Sequence, residues 1–331
     1  MSDFLDSPAA PAPLIVNLIA FPVFEGIFGE VPNVNFMAGS GEAGAHGIRD
    51  LASELRFSII TPSYRSSQWL RLCIASVADQ EDVQCEHIVQ DACSDDGTQE
   101  WLPRDSRVKA FIEPDQGMYD AINRGFERAT GEILAYLNCD EQYLPGALKQ
   151  VHDYFVAHPQ VDAVVSDTVV TDRQGNYICH RYSLVPRWNQ IWVRFPILSC
   201  GLFVRRRVVK DMGIRFDTQW RALGDLVWVL EMANRGVRFA VLPRFTSVFA
   251  DTGENLCLTP SGMEECRKNW QMAPGWVKRL KLLFIVLYRV RLAARGSLFQ
   301  KPFDYSLYTF ARPNERVRCH AARPTSFWKG R

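Results

Sequence analysis

The stretch that decides the fold is FIEPDQGMYDAINRGFERATGEILAYLNCDE, which runs from Phe111 to Glu141. Its segment 117–129 places apolar side chains at three- and four-residue spacing, which predicts a helix. Its segment 132–137 is a short apolar run, which predicts a buried strand. Asp140 and Glu141 follow that strand directly. Because ligands of α/β proteins collect at the carboxyl ends of strands, these acids predict a site, and we expect Asp140 to hold a divalent metal ion.

Strands and helices alternate along most of the chain around this stretch. The same patterns predict strands at 57–61, 85–90, 108–112, 161–166 and 237–242 and helices at 69–78, 145–157, 203–212 and 225–235. Because strands that alternate with helices form parallel β-α-β units, the sequence predicts an α/β fold. Residues 167–200 interrupt the alternation with shorter strand-like pieces.

The chain divides into three parts by composition. Residues 1–55 form an N-terminal extension that we expect to be partly flexible, residues 56–245 hold the alternating elements, and residues 246–331 form an extension with a basic helix after Pro274. The loop at 39–44 in the first part has the spacing GxGxxG. A dinucleotide site needs a strand before such a loop, and NVNFMA is a poor strand, so we interpret the loop as a flexible linker.

The net charge of +1 hides an uneven distribution. From Val277 to Arg331 there are 13 Lys or Arg residues and two acids, which leaves 25 basic and 35 acidic residues before Val277. The body thus has a formal charge of about −10 and the tail of about +11. Two interpretations of the basic helix stay open: an interfacial anchor that makes peripheral membrane contact, or a helix packed on the acidic body. Nucleic acid is not expected as a partner, because no recognised binding module is present.

The cysteines, the N-terminus and the apolar runs indicate the cellular compartment of the protein. The nine cysteines are scattered, without a CxxC pair or a Cys/His cluster, so a zinc site is not expected. We expect free thiols in a reducing compartment. The N-terminus lacks the basic start of a signal peptide. The apolar runs at 14–24 and 282–288 are shorter than the roughly 20 residues of a spanning helix. We therefore expect a cytoplasmic protein, peripheral at most on the inner membrane face.

Four predicted strands end in polar or acidic side chains at what should be one edge of the sheet. These ends are TPSY at 61–64, Asp91, EPDQG at 113–117 and NCDE at 138–141. A carboxylate can accept hydrogen bonds from a base or ribose, a tyrosine can stack on a base, and a metal-bound carboxylate can neutralise phosphates. No Walker A motif is present, so phosphates would be held by metal rather than by a glycine loop. The pattern predicts a nucleotide-like ligand.

With these motifs in their order and spacing, the segment from Phe57 to Val241 resembles glycosyltransferase family 2, the large inverting family with a GT-A fold. The matching pieces are SIITPSYRSSQWLRLCIASVADQ, HIVQDACSDDGT, IEPDQGMYDAINRGFERATGEILAYLNCDE and GDLVWVLEMANRG. The resemblance covers somewhat over half the chain and points to the bacterial members that build exopolysaccharides, O-antigens and glycolipids. It implies a Rossmann-like, mixed and mostly parallel sheet flanked by helices, followed here by a basic helical C-terminal extension.

The resemblance also implies roles for particular positions. The base and ribose would be bound by Thr61, Pro62, Tyr64 and Asp91, and the donor would be lined by Asp115, Gly117, Asp120 and Asn123. Asn138-Cys139-Asp140 matches the family's DxD-type motif, in which Asp140 would bind Mn²⁺ or Mg²⁺ on the sugar-nucleotide diphosphate. Asp225 matches the acid that serves as general base.

Two departures from the family pattern bear on these roles. Asn138 stands where the first acid of the DxD motif is found, which removes one charge from the metal site. The sequence SCGLFV at 199–204 stands where relatives often carry His-Gln, so the acceptor side differs.

The resemblance implies a metal-dependent, inverting enzyme of cell-envelope or exopolysaccharide synthesis. It would move a sugar from a nucleotide-diphospho-sugar donor to a hydroxyl of a saccharide or lipid-linked acceptor. A non-catalytic nucleotide-sugar-binding protein of the same fold is the alternative, suggested by Asn138 and the SCG sequence. A nucleotidyltransferase is a third class, but the loop PSYRSS lacks the glycine- and basic-rich character that such enzymes need.

Overall fold

The computed structural model of the chain describes residues 55–253, 256 and 259–328. The predicted N-terminal extension lies outside the described residues, except for residue 55. Its apolar run at 14–24 and its glycine-rich loop at 39–44 lie outside them as well.

A large sheet forms the centre of the described chain. Its strands are β1 (Phe57–Ser63), β2 (Cys85–Asp91), β3 (Lys109–Ile112), β4 (Ile133–Tyr136), β5 (Glu141–Tyr143), β6 (Ala163–Thr171), β7 (Tyr177–Arg181), β8 (Leu202–Arg205) and β9 (Phe239–Ala250). They lie in the order β3-β2-β1-β4-β8-β6-β9-β5, and β7 pairs with β6.

Parallel and antiparallel pairing divide the sheet into two halves. β1 pairs in parallel with β2 and β4, and β2 with β3. Beyond β4, antiparallel pairs join β4 to β8, β8 to β6 and β5 to β9, while β6 and β9 run in parallel. The register places Ser63 beside Asp91 and Asp91 beside Ile112, so the carboxyl ends of the first three strands share one edge. The predicted α/β fold with a mixed sheet is confirmed, and its first half is the parallel part.

Helices cover both faces of this sheet. They are α1 (Ser67–Ala78), α2 (Thr98–Trp101), α3 (Met118–Arg128), α4 (Ala147–Ala157), α5 (Trp188–Ile191), α6 (Arg206–Lys210), α7 (Gly224–Asn234), α8 (Pro260–Met272), α9 (Gly275–Arg279) and α10 (Lys281–Ala294). Among the described residues, no helix combines the length and the apolar character that crossing a membrane requires.

Strand β1 shows how the two faces of the sheet are filled. Ile59 packs in a buried cluster with Cys73 of α1, while Ile60 packs in a second cluster with Phe126 of α3. Because successive side chains of a strand point to opposite faces, a strand that is apolar throughout is buried on both. A Cβ atom on Gly125 would lie 2.5 Å from Cγ2 of Ile60, so α3 can approach β1 this closely only with glycine at that position.

The predicted helix at 203–212 is wrong in its first half. Leu202–Arg205 forms β8 between β4 and β6, and only Arg206–Lys210 is helical. Phe203 and Val204 are fully buried, each in a different one of the two core clusters. A short apolar run fits a strand as well as a helix, and the open position between two strands decides in favour of the strand.

Two further strands differ from their predicted limits. Glu141–Tyr143, expected as the end of a loop, forms β5 and pairs with the far end of β9, with Glu141 opposite Phe249. β9 itself continues to Ala250, past the predicted strand end at 242 and the predicted domain boundary at 245. Glu141 is thereby held inside the sheet rather than in a surface loop.

The C-terminal extension contains more than the predicted basic helix. The helix is interrupted at Leu280 and ends at Ala294, and the antiparallel strands β10 (Phe303–Thr309) and β11 (Arg312–Ala321) follow. Tyr305 and Leu307 of β10 are buried at the two-residue spacing of a strand. The hairpin was not predicted.

Arg316 of β11 fixes this hairpin to α1. Its guanidinium donates to both carboxylate oxygens of Asp79 at 2.5 and 2.8 Å. It also donates to the carbonyl oxygens of Ser306 and Tyr143, each at 3.0 Å. The Arg316 side chain is largely buried, so these groups have little access to water in its place.

We predict that Arg316→Ala lowers the free energy of unfolding by about 2–3 kcal/mol, since it removes the cationic partner of the half-buried Asp79, which keeps the Tyr308 hydroxyl at 2.8 Å, and the side-chain donor of two carbonyls. Arg318→Ala is the matched control, because Arg318 lies on the same strand and forms an exposed pair with Asp304. We expect that control to cost less than about 1 kcal/mol. Urea unfolding measures both, and equal losses would contradict this account of the hairpin.

Candidate active site

The turn that follows β2 is built around Asp91. Oγ of Ser63 and Oγ of Ser94 donate to Oδ1 of Asp91 at 2.9 and 2.7 Å, and the Ser94 N–H donates to Oδ2 at 2.8 Å. Asp91 is fully buried. A carboxylate offers about four acceptor positions, so these bonds fill most of them. Asp91 lies at the predicted sheet edge and organises the ends of β1 and β2.

The residues predicted at the end of β1 differ in what they present to solvent. Tyr64 is exposed, and the guanidinium carbon of Arg65 lies 5.1 Å from the centre of its ring. Pro62 is buried. Thr61 is fully buried, and its hydroxyl is hydrogen-bonded to Nε2 of His87 at 2.8 Å. Thr61 therefore offers no exposed group to a ligand in this conformation, whereas the Tyr64 ring is open to solvent.

The loop before α3 holds Asp115 in a fixed position. Its Oδ1 accepts the N–H of Gly117 at 2.8 Å. Gly117 has a φ of 118°, which favours glycine, and a Cβ atom there would lie 3.5 Å from the guanidinium of Arg221. Burial raises the pKa of the Asp115 carboxyl, and the charges of Asp120 and Asp91 add to that effect.

Two other predicted donor residues, both on α3, have partners within the protein. Oδ2 of Asp120 accepts the N–H of Gln116 at 3.0 Å and pairs with Arg124 at 2.8 Å. The side chain of Asn123 accepts from the N–H of Phe216 at 3.1 Å and donates to its carbonyl at 2.9 Å. Asn123 therefore fastens α3 to the segment that leads to α7, and its amide does not point into the donor side as a free group.

The corner between β4 and β5 gathers Asn138, Asp140 and Glu141. The Asn138 N–H donates to Oε2 of Glu141 at 2.8 Å. Glu141 is fully buried, and burial, followed by the charge of Asp140, raises its pKa to about 8. Within the described chain, Oε1 of Glu141 and Oδ1 of Asn138 are buried without a hydrogen-bond partner. Half-buried Asp140 also borders a small cavity lined by Tyr308 and Thr309 of the hairpin.

The oxygen atoms of this corner fit a divalent ion that is shared with phosphate groups. In the described ranges, no group of three or more His, Cys, Asp or Glu side chains could hold a metal ion by itself. Mg²⁺ is commonly bound by one or two protein carboxylates together with substrate phosphates and water. The carboxylate of Asp140 and the partnerless amide oxygen of Asn138 are hard oxygen donors of the kind that Mg²⁺ and Mn²⁺ prefer.

Asp225 lies in the first turn of α7, near the carboxyl end of β4. Its Oδ1 accepts the N–H of Leu226 at 2.8 Å, and the Tyr119 hydroxyl is hydrogen-bonded to its carboxylate. Burial raises the pKa of Asp225 to about 6, although both hydrogen bonds act to lower it. Burial, followed by the charge of Asp225, also raises the pKa of Tyr136 in β4. The predicted base thus lies close to the strand that leads to the metal motif.

Gly224 allows this arrangement. A Cβ atom at Gly224 would lie 2.4 Å from Cε2 of Tyr119, far inside contact distance. The Tyr119 ring is buried and stacks on Phe216 with ring centres 5.0 Å apart. The absent side chain therefore lets the ring of α3 reach the carboxylate at the start of α7.

Glu265 of α8 holds the loop that precedes Asp225. Its Oε1 accepts the N–H of Arg221 at 2.7 Å, and its Oε2 accepts the N–H groups of Ala222 and Leu223 at 2.9 and 3.0 Å. Leu223 is the N-cap of α7, and Arg221 and Ala222 directly precede it. One carboxylate thereby fixes the entry to the helix.

Three residues of the site were not assigned roles from sequence. Tyr119 follows the acids of the loop at 113–117, but the local pattern alone does not indicate its contact with Asp225. Glu141 was noted only as the second of two acids, because its strand was not predicted. Glu265 lies far from Asp225 in sequence, and no local motif connects the two residues.

Comparisons with known proteins identify the family. The family model described as "Glycosyl transferase family 2" matches residues 58–228. The chain is 32% identical over 104 residues to a putative teichuronic acid biosynthesis glycosyltransferase, TuaG of Bacillus subtilis, which covers 30% of this chain and 41% of that protein. It is 29% identical over 175 residues to a PGL/p-HBAD biosynthesis glycosyltransferase of Mycobacterium tuberculosis, and the match covers 51% of this chain and 66% of that protein. The chain thus spans less than two thirds of the length of either relative.

Solved structures share the fold at low sequence identity. The S. aureus TarS fragment 1-349 in complex with UDP-GlcNAc has a TM-score of 0.53 at 17% identity, with 75% of this chain and 74% of that chain covered. A further structure of S. aureus TarS has a TM-score of 0.53 at 15% identity and covers 80% of this chain and 60% of that one. The likeness supports the predicted GT-A architecture.

The buried carboxyl of Glu141 predicts a pH-dependent stability. Folding raises the pKa of this carboxyl from 4.5 to about 8. The stability that the carboxyl contributes is therefore complete below pH 4.5 and is lost as the pH rises through 8. Glu141→Gln should match the wild type near about pH 4 and exceed its free energy of unfolding by up to about 5 kcal/mol near about pH 9. Urea unfolding in EDTA measures this, with exposed Glu81→Gln as control. A difference that does not change with pH would refute the assigned burial.

Proposed function

We propose, since this chain belongs to glycosyltransferase family 2, that it transfers a sugar from a nucleotide-diphospho-sugar to a hydroxyl of a saccharide or lipid-linked acceptor. Relatives named for teichuronic acid and PGL/p-HBAD biosynthesis support an acceptor of this class. TarS, whose fold the chain shares, was solved with UDP-GlcNAc, so UDP-sugars are the first donors to test. The cysteines of the described chain are free thiols, which supports a reducing, cytoplasmic location.

The observation that carries the proposal is the environment of Asp225. A general base works best when its pKa lies near the working pH, and burial raises that of Asp225 to about 6. It is then ionised at neutral pH and still able to take a proton. The Leu226 N–H and the Tyr119 hydroxyl fix the direction of the carboxylate.

In the proposed reaction, Asp225 takes the proton from the acceptor hydroxyl as the hydroxyl oxygen attacks the anomeric carbon. The bond from that carbon to the diphosphate oxygen breaks, and the diphosphate leaves with the bonding electrons. Attack opposite to the leaving group inverts the configuration at the carbon. Tyr119 keeps the Asp225 carboxylate oriented while it gains the proton.

The donor half of the site is assigned to residues at the other strand ends. Tyr64 stacks on the base, while Asp91 and Asp115 accept hydrogen bonds from the base and ribose. Asp140 and Asn138 would hold Mn²⁺ or Mg²⁺, which when bound supplies charge neutralisation to the departing diphosphate. No other step is assigned to the ion.

Three other predicted donor residues position the pocket rather than contact the donor. Asp120 fixes the loop through the Gln116 N–H, and Asn123 fastens α3 through Phe216. Gly117 supplies the backbone turn that presents Asp115.

Replacement of the base tests the proposal directly. We predict that Asp225→Asn lowers turnover by about 10²–10⁴-fold while donor affinity stays within a few-fold, because the carboxylate acts on the acceptor. In the wild type, kcat/KM should fall as the pH drops below about 6, since the base becomes protonated. Release of UDP measures turnover, and calorimetry measures donor binding.

Glu231→Gln on the exposed side of α7 is the matched control and should leave turnover unchanged. Undiminished turnover in Asp225→Asn would remove the base assignment. A wild type that binds the donor but never releases UDP would favour the non-catalytic binding protein.

Asp140→Ala tests the metal position. We predict that it abolishes the metal-dependent part of donor binding, because Asp140 is the charged oxygen donor of the corner. Donor titrations with Mn²⁺ and with EDTA measure that part as the difference between two affinities. Asp153→Ala, on the surface of α4, is the control. A metal-dependent increment that survives Asp140→Ala would contradict the assignment.

A further inference from the structure

Helix α10 presents an apolar face to solvent. Leu282, Val286 and Val290 are 76%, 55% and 50% exposed, and Leu283 and Leu287 beside them are exposed as well. Side chains four residues apart lie on the same side of a helix, so these five residues form one stripe. A surface helix normally turns its polar residues outward and its apolar residues inward, whereas α10 exposes an apolar stripe as well.

The opposite side of α10 is already packed on the protein. Phe284 and Tyr288 are buried, and the Arg291 guanidinium donates to the carbonyl of Val185 at 2.7 Å and to the side chain of Gln190. The orientation of the helix about its own axis is thereby fixed. The exposed stripe is therefore a stable feature of the folded surface.

Neighbouring residues extend the stripe at both ends. Trp276 of α9 and Leu280 between α9 and α10 are exposed, as are Leu298 and Phe299 after α10, with Phe299 at 90%. We call the exposed apolar residues of 276–299 the outer patch. Extended apolar surface on a folded chain marks an interaction site.

The charges around the outer patch have one sign. From 273 to 303 the chain contains seven Lys or Arg residues and no Asp or Glu. Arg279, Lys281, Arg289 and Lys301 are exposed. Apolar side chains that insert, surrounded by cations, match a bilayer with anionic headgroups, to which each basic residue near the surface contributes about 1 kcal/mol.

We infer that the outer patch binds the surface of a bilayer that contains anionic lipid, with α10 lying in the plane of that surface. The 14 residues of α10 are fewer than the roughly 20 that span a bilayer, which fits a helix that lies on the membrane. A second copy of the chain fits less well, because a symmetric contact through this patch would bring the same cations together. The inference rests on the C-terminal helices alone and is independent of the proposed reaction.

Vesicle sedimentation with the full chain tests the inference. Vesicles of phosphatidylcholine alone are compared with vesicles that contain phosphatidylglycerol in equal part. We expect binding to the anionic vesicles that weakens with salt, and at least about tenfold weaker binding by Leu282→Ser with Val286→Ser, since two inserting side chains are lost. Met263→Ser, an exposed apolar position on α8, is the matched control and should bind as the wild type does.

A second pair of variants tests the charge. Lys281→Gln with Arg289→Gln should weaken binding to the anionic vesicles by several-fold, and Arg318→Gln on the hairpin should not. Both apolar positions are exposed, so the serine variant should unfold at the wild-type temperature. Equal binding by the serine variant and the Met263→Ser control would overturn the inference, as would absence of wild-type binding. If the wild type forms a dimer that the serine variant loses, and the wild type does not bind vesicles, the outer patch is a contact with a second copy of the chain instead.

Discussion

The contact between Gly224 and the Tyr119 ring is the constraint on which the site depends. It brings α3, which follows the loop at 113–117, against α7, which begins beside Asp225, and it leaves no room for a side chain at Gly224. Glu265 holds the same helix entry from the other side through three backbone N–H groups. The loop at 113–117 with α3 and the start of α7 are therefore fixed relative to each other by packing and hydrogen bonds, before any ligand binds.

Burial of acidic side chains is the second feature of the candidate active site. Glu141, Asp225 and Asp115 all have raised pKa values, and burial is the main cause in each case. A carboxyl whose pKa is raised in the folded state lowers stability at neutral pH. Such groups concentrate where function needs them, and here they lie at the start of β5, in the first turn of α7 and in the loop before α3. The scaffold elsewhere pairs its half-buried acids with arginines, as Asp79 and Arg316 show.

Much of the fold follows from local patterns, because β1 and β4 are apolar runs between turns and α3 has a clear helical period. The run LFV at 202–204 could not be assigned locally, since only the gap between β4 and β6 makes it a strand. β5 has three residues and exists only through its pairing with β9. Strand-end acids were placed at the correct edge, but the partners of Thr61, Asn123 and Tyr119 come from distant segments. Such side-chain hydrogen bonds join residues that are far apart in sequence, so no short motif predicts them.

The central claim is that Tyr119 and burial together set the protonation of Asp225 in a preformed cleft. An NMR pH titration of the protein with ¹³C-labelled aspartate carboxyls, assigned through Asp225→Asn, measures that protonation without any substrate. The account predicts a pKa for Asp225 near 6 and a higher value in Tyr119→Phe, because the hydroxyl stabilises the charged form. An ordinary aspartate pKa near about 4, unchanged in Tyr119→Phe, would contradict it.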